Sequence, residues 1–208
     1  MSVRRDAGPA QGASARSAGP RDASSHVAAG LTVAAIVDAA LAVIRVDGVG
    51  GLTMRSLAER LAVRAPSLYH HVRNKDELLE LVARNAFDAF AADRTAYAEV
   101  RTLDDWIAVT TSGSHRLRAF YAEHPGLAAL IQTKATPYRD VGDGSRAALV
   151  RAQIGALVAL GVPESTARET FETIAHWTLA AVAADGPDEL FSAGLDLLML
   201  GVRSRLSD

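Results

Sequence analysis

From Leu31 onward, apolar residues recur at three- and four-residue spacing and no alternating β-branched run occurs, so the sequence predicts an all-α fold. The first helix is expected from Thr32, a hydroxyl N-cap, through Val33, Ile36, Val37, Ala40, Leu41 and Ile44 to a stop at Gly48. A glycine-rich turn, Val49-Gly50-Gly51, leads to Thr53 and a short helix that turns Leu57, Ala58 and Leu61 inward and Arg55, Glu59 and Arg60 outward. Ala62-Val63-Arg64 is long enough only for a turn. Pro66 then falls in the first turn of a second short helix, where its missing N–H costs nothing, and Leu68 and Val72 point back to the core. Asn74 to Glu77 has the form of a capping box, with Asn74 as N-cap and Glu77 at N3. It opens a long connector helix through Leu78, Leu81, Val82 and Phe87. Further helices are expected near 103–122, 125–132, 144–160, 163–184 and 188–206, separated by breakers at His124-Pro125-Gly126, Pro137 to Gly144, Gly161 to Pro163 and Gly186-Pro187. The stretch from Ile131 to Gly144 is the least regular and is expected to be mobile.

Residues 1–30 break this pattern. They are rich in Ala, Gly, Ser and Pro, carry Arg4, Arg5, Arg16 and Arg21, and have no apolar h-region of an export signal. They read as a disordered basic tail, either a solvated extension or an arm that reaches DNA. The chain has 208 residues, and its 49% hydrophobic share is inflated by alanine, with no uncharged run near the roughly 20 residues of a membrane span. No membrane partner is expected. The absence of cysteine excludes disulfides, thiol nucleophiles and cysteine metal sites, and suits a reducing cytoplasm.

Net charge is −2, which by itself argues for no polyanion partner. The local balance changes that. Residues 51–75 hold five basic side chains (Arg55, Arg60, Arg64, Arg73 and Lys75) against one acidic, Glu59, a patch of +4. Two short helices flanked by cations, with Tyr69, His70 and His71 on the second, suit a helix-turn-helix whose second helix enters the major groove. The small residues Ala65, Pro66 and Ser67 at its start let the backbone approach the bases, and the helix N-terminus turns N–H groups toward phosphate.

The run from Leu52 to Leu79, preceded by the Ile36 to Leu41 helix and by Asp47-Gly48, resembles the TetR (tetracycline-repressor) family of bacterial transcriptional regulators. Tyr69 to Val72 followed by Asn74-Lys75 is similar to the tetracycline-repressor branch of that family. The resemblance implies a helix-turn-helix domain at 31–78 and a helical effector-binding and dimerisation domain at 79–208. It places Thr53, Tyr69 and Lys75 on phosphate and Arg55, Ala65, Ser67 and His70 on the base-reading surface, with His71 able to do either. Ala65 and His70 stand at positions that vary among relatives, so no operator sequence carries over.

In the second half, Phe120 to Leu127 and Ile174 to Leu179 resemble segments of tetracycline-repressor-like C-terminal domains. The candidate effector lining is Trp106, Thr110, His115, Phe120, Tyr121, Ile131, Gln132, Tyr138, Gln153, His176 and Trp177, an apolar set with a few polar groups. On the last helix, Phe191, Leu195, Leu198 and Val202 form one stripe, and Leu190, Gly194, Leu197 and Gly201 a neighbouring one. An apolar arc this wide needs two partners, its own domain and the matching helices of a second chain, against the alternative of burial within a monomer.

Adjacent His70 and His71 point about 100° apart on a helix, so no metal is expected there. No nucleophile elbow or Walker loop is present, so neither a cofactor nor an enzymatic activity is expected. The expectation is a homodimeric, ligand-responsive repressor that leaves a pseudo-palindromic operator when a small molecule binds. The alternative is a helical small-molecule-binding protein or enzyme with a degenerate DNA-binding module.

Overall fold

The computed structural model of the chain describes residues 31–90, 95–134 and 145–206, and among these the regular structure is helical throughout. The expected basic tail, Tyr138 and most of the irregular stretch before Gly144 lie outside the described residues. The helices are α1 (Val33–Gly51), α2 (Met54–Arg60), α3 (Ala65–Tyr69), α4 (Lys75–Phe90), α5 (Leu103–Ala122), α6 (Leu127–Lys134), α7 (Ser145–Ala159), α8 (Glu164–Ala183) and α9 (Asp188–Leu206). A single 3₁₀ turn, Thr95–Glu99, precedes α5.

Thr32 caps α1 as its position suggests, its hydroxyl accepting from the Ala35 N–H at 3.2 Å. The regular α-helical run stops at Gly48 as expected: its backbone (φ 67°, ψ 176°) is non-helical, and a separate short turn beyond this kink runs on to Gly51. Ile36, Ala40 and Ile44 from α1, Leu52, Leu57 from α2 and Leu68 from α3 are fully buried and close a small three-helix core. At the start of α4 the expected capping box is shifted by one residue. Asn74 accepts from the Glu77 N–H at 2.9 Å, but the Glu77 carboxylate reaches past it to the Arg73 N–H at 2.6 Å.

α4 buries Leu78, Val82, Ala83 and Ala86. It packs on α1 on one side and on α6 and α7 on the other, so it belongs to both parts of the molecule. The larger part is built from α5, α7, α8 and α9, with Trp106 at its centre; the indole is fully buried and donates to the Gln153 carbonyl at 2.9 Å. α6 starts two residues later than the pattern suggests, because Pro125 and Gly126 (φ 83°) form the turn that precedes it.

Candidate DNA-reading surface and internal cavity

Thr53 opens α2 through a reciprocal capping box with Ser56, its hydroxyl accepting from the Ser56 N–H at 3.0 Å while its own N–H donates to the Ser56 hydroxyl at 2.9 Å. α2 ends in a tight turn at Ala62 (φ 53°), closed by the Val63 N–H on the Ala58 carbonyl at 3.1 Å. The chain then enters α3, where Leu68 is the buried anchor and Ala65, Pro66 and Ser67 are exposed. Tyr69 is half exposed, and His70 and His71 lie exposed in the turn that ends the helix. Lys75 stands exposed at the first position of α4.

The structure therefore gathers Thr53, Arg55, Ala65, Ser67, Tyr69, His70, His71 and Lys75 on the solvent side of one helix-turn-helix, while Leu57, Leu68 and Val72 fix it from beneath. Arg55 is not a lone cation. Its Nε donates to the Glu59 carboxylate at 2.9 Å, and that hydrogen bond holds the guanidinium pKa above its ordinary value. The carboxylates that follow Lys75 are engaged elsewhere, Glu77 by Arg73 and Asp76 by Lys134.

Three contacts tie this unit to the larger body. Arg45 on α1 pairs with Glu123 at 2.9 Å, and the Val49 N–H donates to the Pro125 carbonyl at 3.0 Å. Both glycines at that junction, Gly48 and Gly126, have positive φ, and a Cβ at Gly126 would lie 3.4 Å from the Val49 side chain. The third contact joins Lys134, the last residue of α6, to Asp76 in the first turn of α4. The hydrogen bond that Lys134 donates to Asp76 keeps the ammonium pKa above its ordinary value.

The body holds a pocket of about 120 Å³, partly open to solvent, walled by α5, α7, α8 and the 3₁₀ turn. Its apolar wall includes Val109, Leu117, Leu149, Val150, Phe171 and Ile174. Polar groups are few: the Tyr97 hydroxyl shares a hydrogen bond with the Thr110 hydroxyl at 3.0 Å, and Ser114 donates to the Thr110 carbonyl at 3.0 Å. Burial pushes the Tyr97 pKa up to about 12. The hydroxyl of Thr178, a buried residue of the wall, has no hydrogen-bond partner among the described residues.

Of the lining expected from the sequence, Thr110 and Gln153 border this cavity. Trp106 stands behind its wall, with its N–H spent on the Gln153 backbone. Phe120 and Tyr121 pack edge to face at 5.4 Å near the end of α5, where Tyr121 borders a separate recess with Arg118 and Pro125. Ile131 is buried in α6 and Gln132 exposed. His115 and Trp177 pack on Phe191 of α9, at 5.6 and 5.5 Å between ring centroids, and His176 is exposed with Nδ1 2.7 Å from the Glu172 carbonyl. The lining expected from the sequence draws on the longer helices and on aromatic, histidine and amide side chains there, so Tyr97 in the 3₁₀ turn and Arg116, Arg146 and Thr178 are missed. The row Thr110, Gly113 and Ser114 on α5, small side chains beside Leu117 in an amphipathic helix, is the signal that could have found the wall.

α9 separates its two stripes. Phe191, Leu195, Met199 and Val202 are buried, and Leu198 is only partly so. Leu190, Leu197 and Leu200 are 68, 70 and 62% exposed. Gly194, between them, lies against Trp177; a Cβ there would sit 2.5 Å from the indole Cζ2.

A short helix-turn-helix held by a shared helix on a helical body with an internal apolar cavity defines a class, that of helical helix-turn-helix regulators. Residues 36–82 match the family of bacterial regulatory proteins described as tetR. The chain is 32% identical over 149 residues to the class A tetracycline repressor protein of transposon 1721 from Escherichia coli, an alignment covering 71% of this chain and 63% of that protein. Among solved structures, a TetR variant from Acinetobacter baumannii AYE in complex with minocycline is 26% identical, with a TM-score of 0.64 over 86% of this chain and 99% of that one. BioQ with its double-stranded DNA operator is also 26% identical, with a TM-score of 0.58 over 84% and 99%. The chain belongs to the TetR family.

Proposed function

We propose that this protein is a homodimeric, ligand-responsive transcriptional repressor that acts on a pseudo-palindromic operator in the cytoplasm and is released from it by a small molecule. The observation that carries the reading is the exposed α2–α3 unit, with Tyr69, His70 and Lys75 presented to solvent and Leu68 fully buried beneath. In a helix-turn-helix of this kind, Thr53, Tyr69 and Lys75 take phosphate oxygens and Arg55, Ala65, Ser67 and His70 face base edges, with His71 beside them. A solved relative carries an operator and another carries minocycline, which supports both the DNA and the effector parts of the reading.

The second copy docks on the exposed leucine face of α9. Leu190, Leu197 and Leu200, with Gly201, make an apolar strip on a helix that already buries its opposite side in its own body. Pairing α8 and α9 with their twofold mates gives a four-helix bundle and sets two readers at a fixed spacing. Half-sites then lie about 34–36 Å apart or at a multiple of that.

The internal cavity is the effector site. It shares α7 with the surface that packs on α4, and α4 begins at Lys75 on the reader. A ligand that favours one packing of α7 therefore shifts the population of reader spacings. Among the described residues no helix is long and apolar enough to cross a membrane.

The test is selection of bound fragments from a genomic library, followed by footprinting. Recovery of a pseudo-palindrome supports the reading, and retention of no fragment refutes it. Leu197→Glu places a charge in the α9 strip and should yield a monomer by sedimentation, with loss of operator affinity at unchanged helicity; a stable dimer would remove α9 from the interface.

A further inference from the structure

The chemistry of the cavity limits what it can hold. Its described lining contains no Asp, Glu or His, so the described wall offers a cation no counter-charge. It does contain two arginines, Arg116 and Arg146. Arg116 is exposed, its Nη1 donates to the Ser112 hydroxyl at 3.3 Å, and no carboxylate pairs with it among the described residues. In the wall, the Thr178 hydroxyl has no partner among the described residues, and Tyr97 shares one hydrogen bond with Thr110. A buried hydroxyl without a protein partner is rare in folded proteins and is free to bond a polar atom of a bound molecule. The remaining wall is Ser114, Gln153 and apolar side chains, with one phenyl ring, Phe171.

Size sets a second limit. A dry cavity of about 150 Å³ takes a benzene-sized ligand; this pocket offers about 120 Å³ and is partly open, so it covers a body of about one ring and leaves the rest of a ligand toward solvent.

On the reading that this cavity takes the effector, we propose that the effector is a small amphipathic organic carboxylate. Its apolar body is about one ring in size and lies between Val109, Leu117, Phe171 and Ile174, and its carboxylate is held by the Arg116 guanidinium. Oxygen on or near the ring is met by Thr178. The Tyr97 phenol is protonated at neutral pH, as any tyrosine is, so it adds a hydrogen-bonding hydroxyl and no second negative charge.

Three isosteric probes separate the classes: hydrocinnamate, hydrocinnamyl alcohol and phenylpropylamine, titrated against the full chain by tryptophan fluorescence, with Trp106 as the near reporter through its bond to Gln153. The carboxylate should bind about tenfold more tightly than the alcohol, and the amine more weakly still. Arg116→Gln should erase the preference of carboxylate over alcohol and leave the alcohol within about twofold. An amine that binds as well as the carboxylate, a preference untouched by Arg116→Gln, or failure of all three probes to bind overturns the proposed class.

Two further measurements keep this separate from the effector reading. Gly113 lines the cavity and a Cβ there meets nothing within 4 Å, so Gly113→Leu adds bulk at the wall from an unobstructed attachment point, with helicity and Tm as the check that the fold is kept. Hydrocinnamate binding that survives this variant places the ligand elsewhere and overturns the proposal. If hydrocinnamate binds in the cavity with the expected discrimination yet leaves DNA affinity unchanged, the ligand class stands and the effector role falls.

Discussion

Lys75→Ala is a clean probe of the DNA reading, because the side chain is exposed at the start of α4 and the neighbouring carboxylates are occupied by other cations. Its loss should remove a phosphate contact and little else. Each neutralised phosphate contributes about −0.9 to the slope of log affinity against log salt, and a dimer carries two copies of Lys75, so the slope should become shallower by about 1.8. Between about 50 and about 200 mM salt, the affinity ratio of wild type to variant should then shrink by about twelvefold. Fluorescence anisotropy on a labelled operator at several salt concentrations reads this directly, with Lys75→Arg as the charge-preserving control. A variant that loses affinity with an unchanged slope would mean that Lys75 positions α4 and touches no phosphate. Unchanged affinity and unchanged slope would remove it from the interface altogether.

Gly194→Ala should destabilise the fold by about 1–3 kcal/mol, since the new methyl would lie 2.5 Å from the Trp177 ring and the ring or the helix must shift. Calorimetry should show Tm lowered by about 2–4 °C for each kcal/mol, and an unchanged Tm would mean that α8 and α9 are loosely packed there. Tyr97, with its folded pKa pushed up to about 12, should make stability depend on alkaline pH. The folded state retains the proton that the unfolded chain releases near its ordinary value of about 10, so this contribution is full below that pH and is lost as pH rises toward 12. Denaturant titrations of wild type and Tyr97→Phe should diverge over that window, and parallel curves would contradict the burial of the phenol.

Much of the helical frame is legible in the sequence because its ends are written in side chains. Thr32 before the first apolar stripe, Pro163 before α8 and Gly186-Pro187 before α9 are local signals, and the corresponding helices fall within a residue or two of the expected ranges. The stop at Gly48 is legible for the same reason, since only glycine takes its positive φ readily; the short turn that follows to Gly51 has too few residues to show a period. The 3₁₀ turn Thr95–Glu99 has too few residues to show a period, and with it Tyr97 goes unseen.

The reader is legible for the same reason as the frame: Thr53 to Lys75 is contiguous, so its exposed residues follow from the local pattern. The cavity is not contiguous. Its wall joins Tyr97, Arg116, Arg146 and Thr178, brought together only by packing of α5, α7 and α8. Trp106 and Trp177, expected in the lining, lie outside that wall: Trp106 is buried with its N–H on the Gln153 carbonyl, and Trp177 packs on Phe191.

The contact between Val49 and Pro125 is made by backbone atoms alone. Such a pivot is blind to the identity of the side chains around it, provided that Gly48 and Gly126 keep their turns. The ion pairs Arg45 with Glu123 and Lys134 with Asp76 are the opposite, adjustable by single substitutions on either side of the joint. Drift in sequence can therefore retune the ion-paired part of the joint while leaving its backbone part in place, and a helix-turn-helix transplanted from a relative would keep the backbone bond while losing the ion pairs.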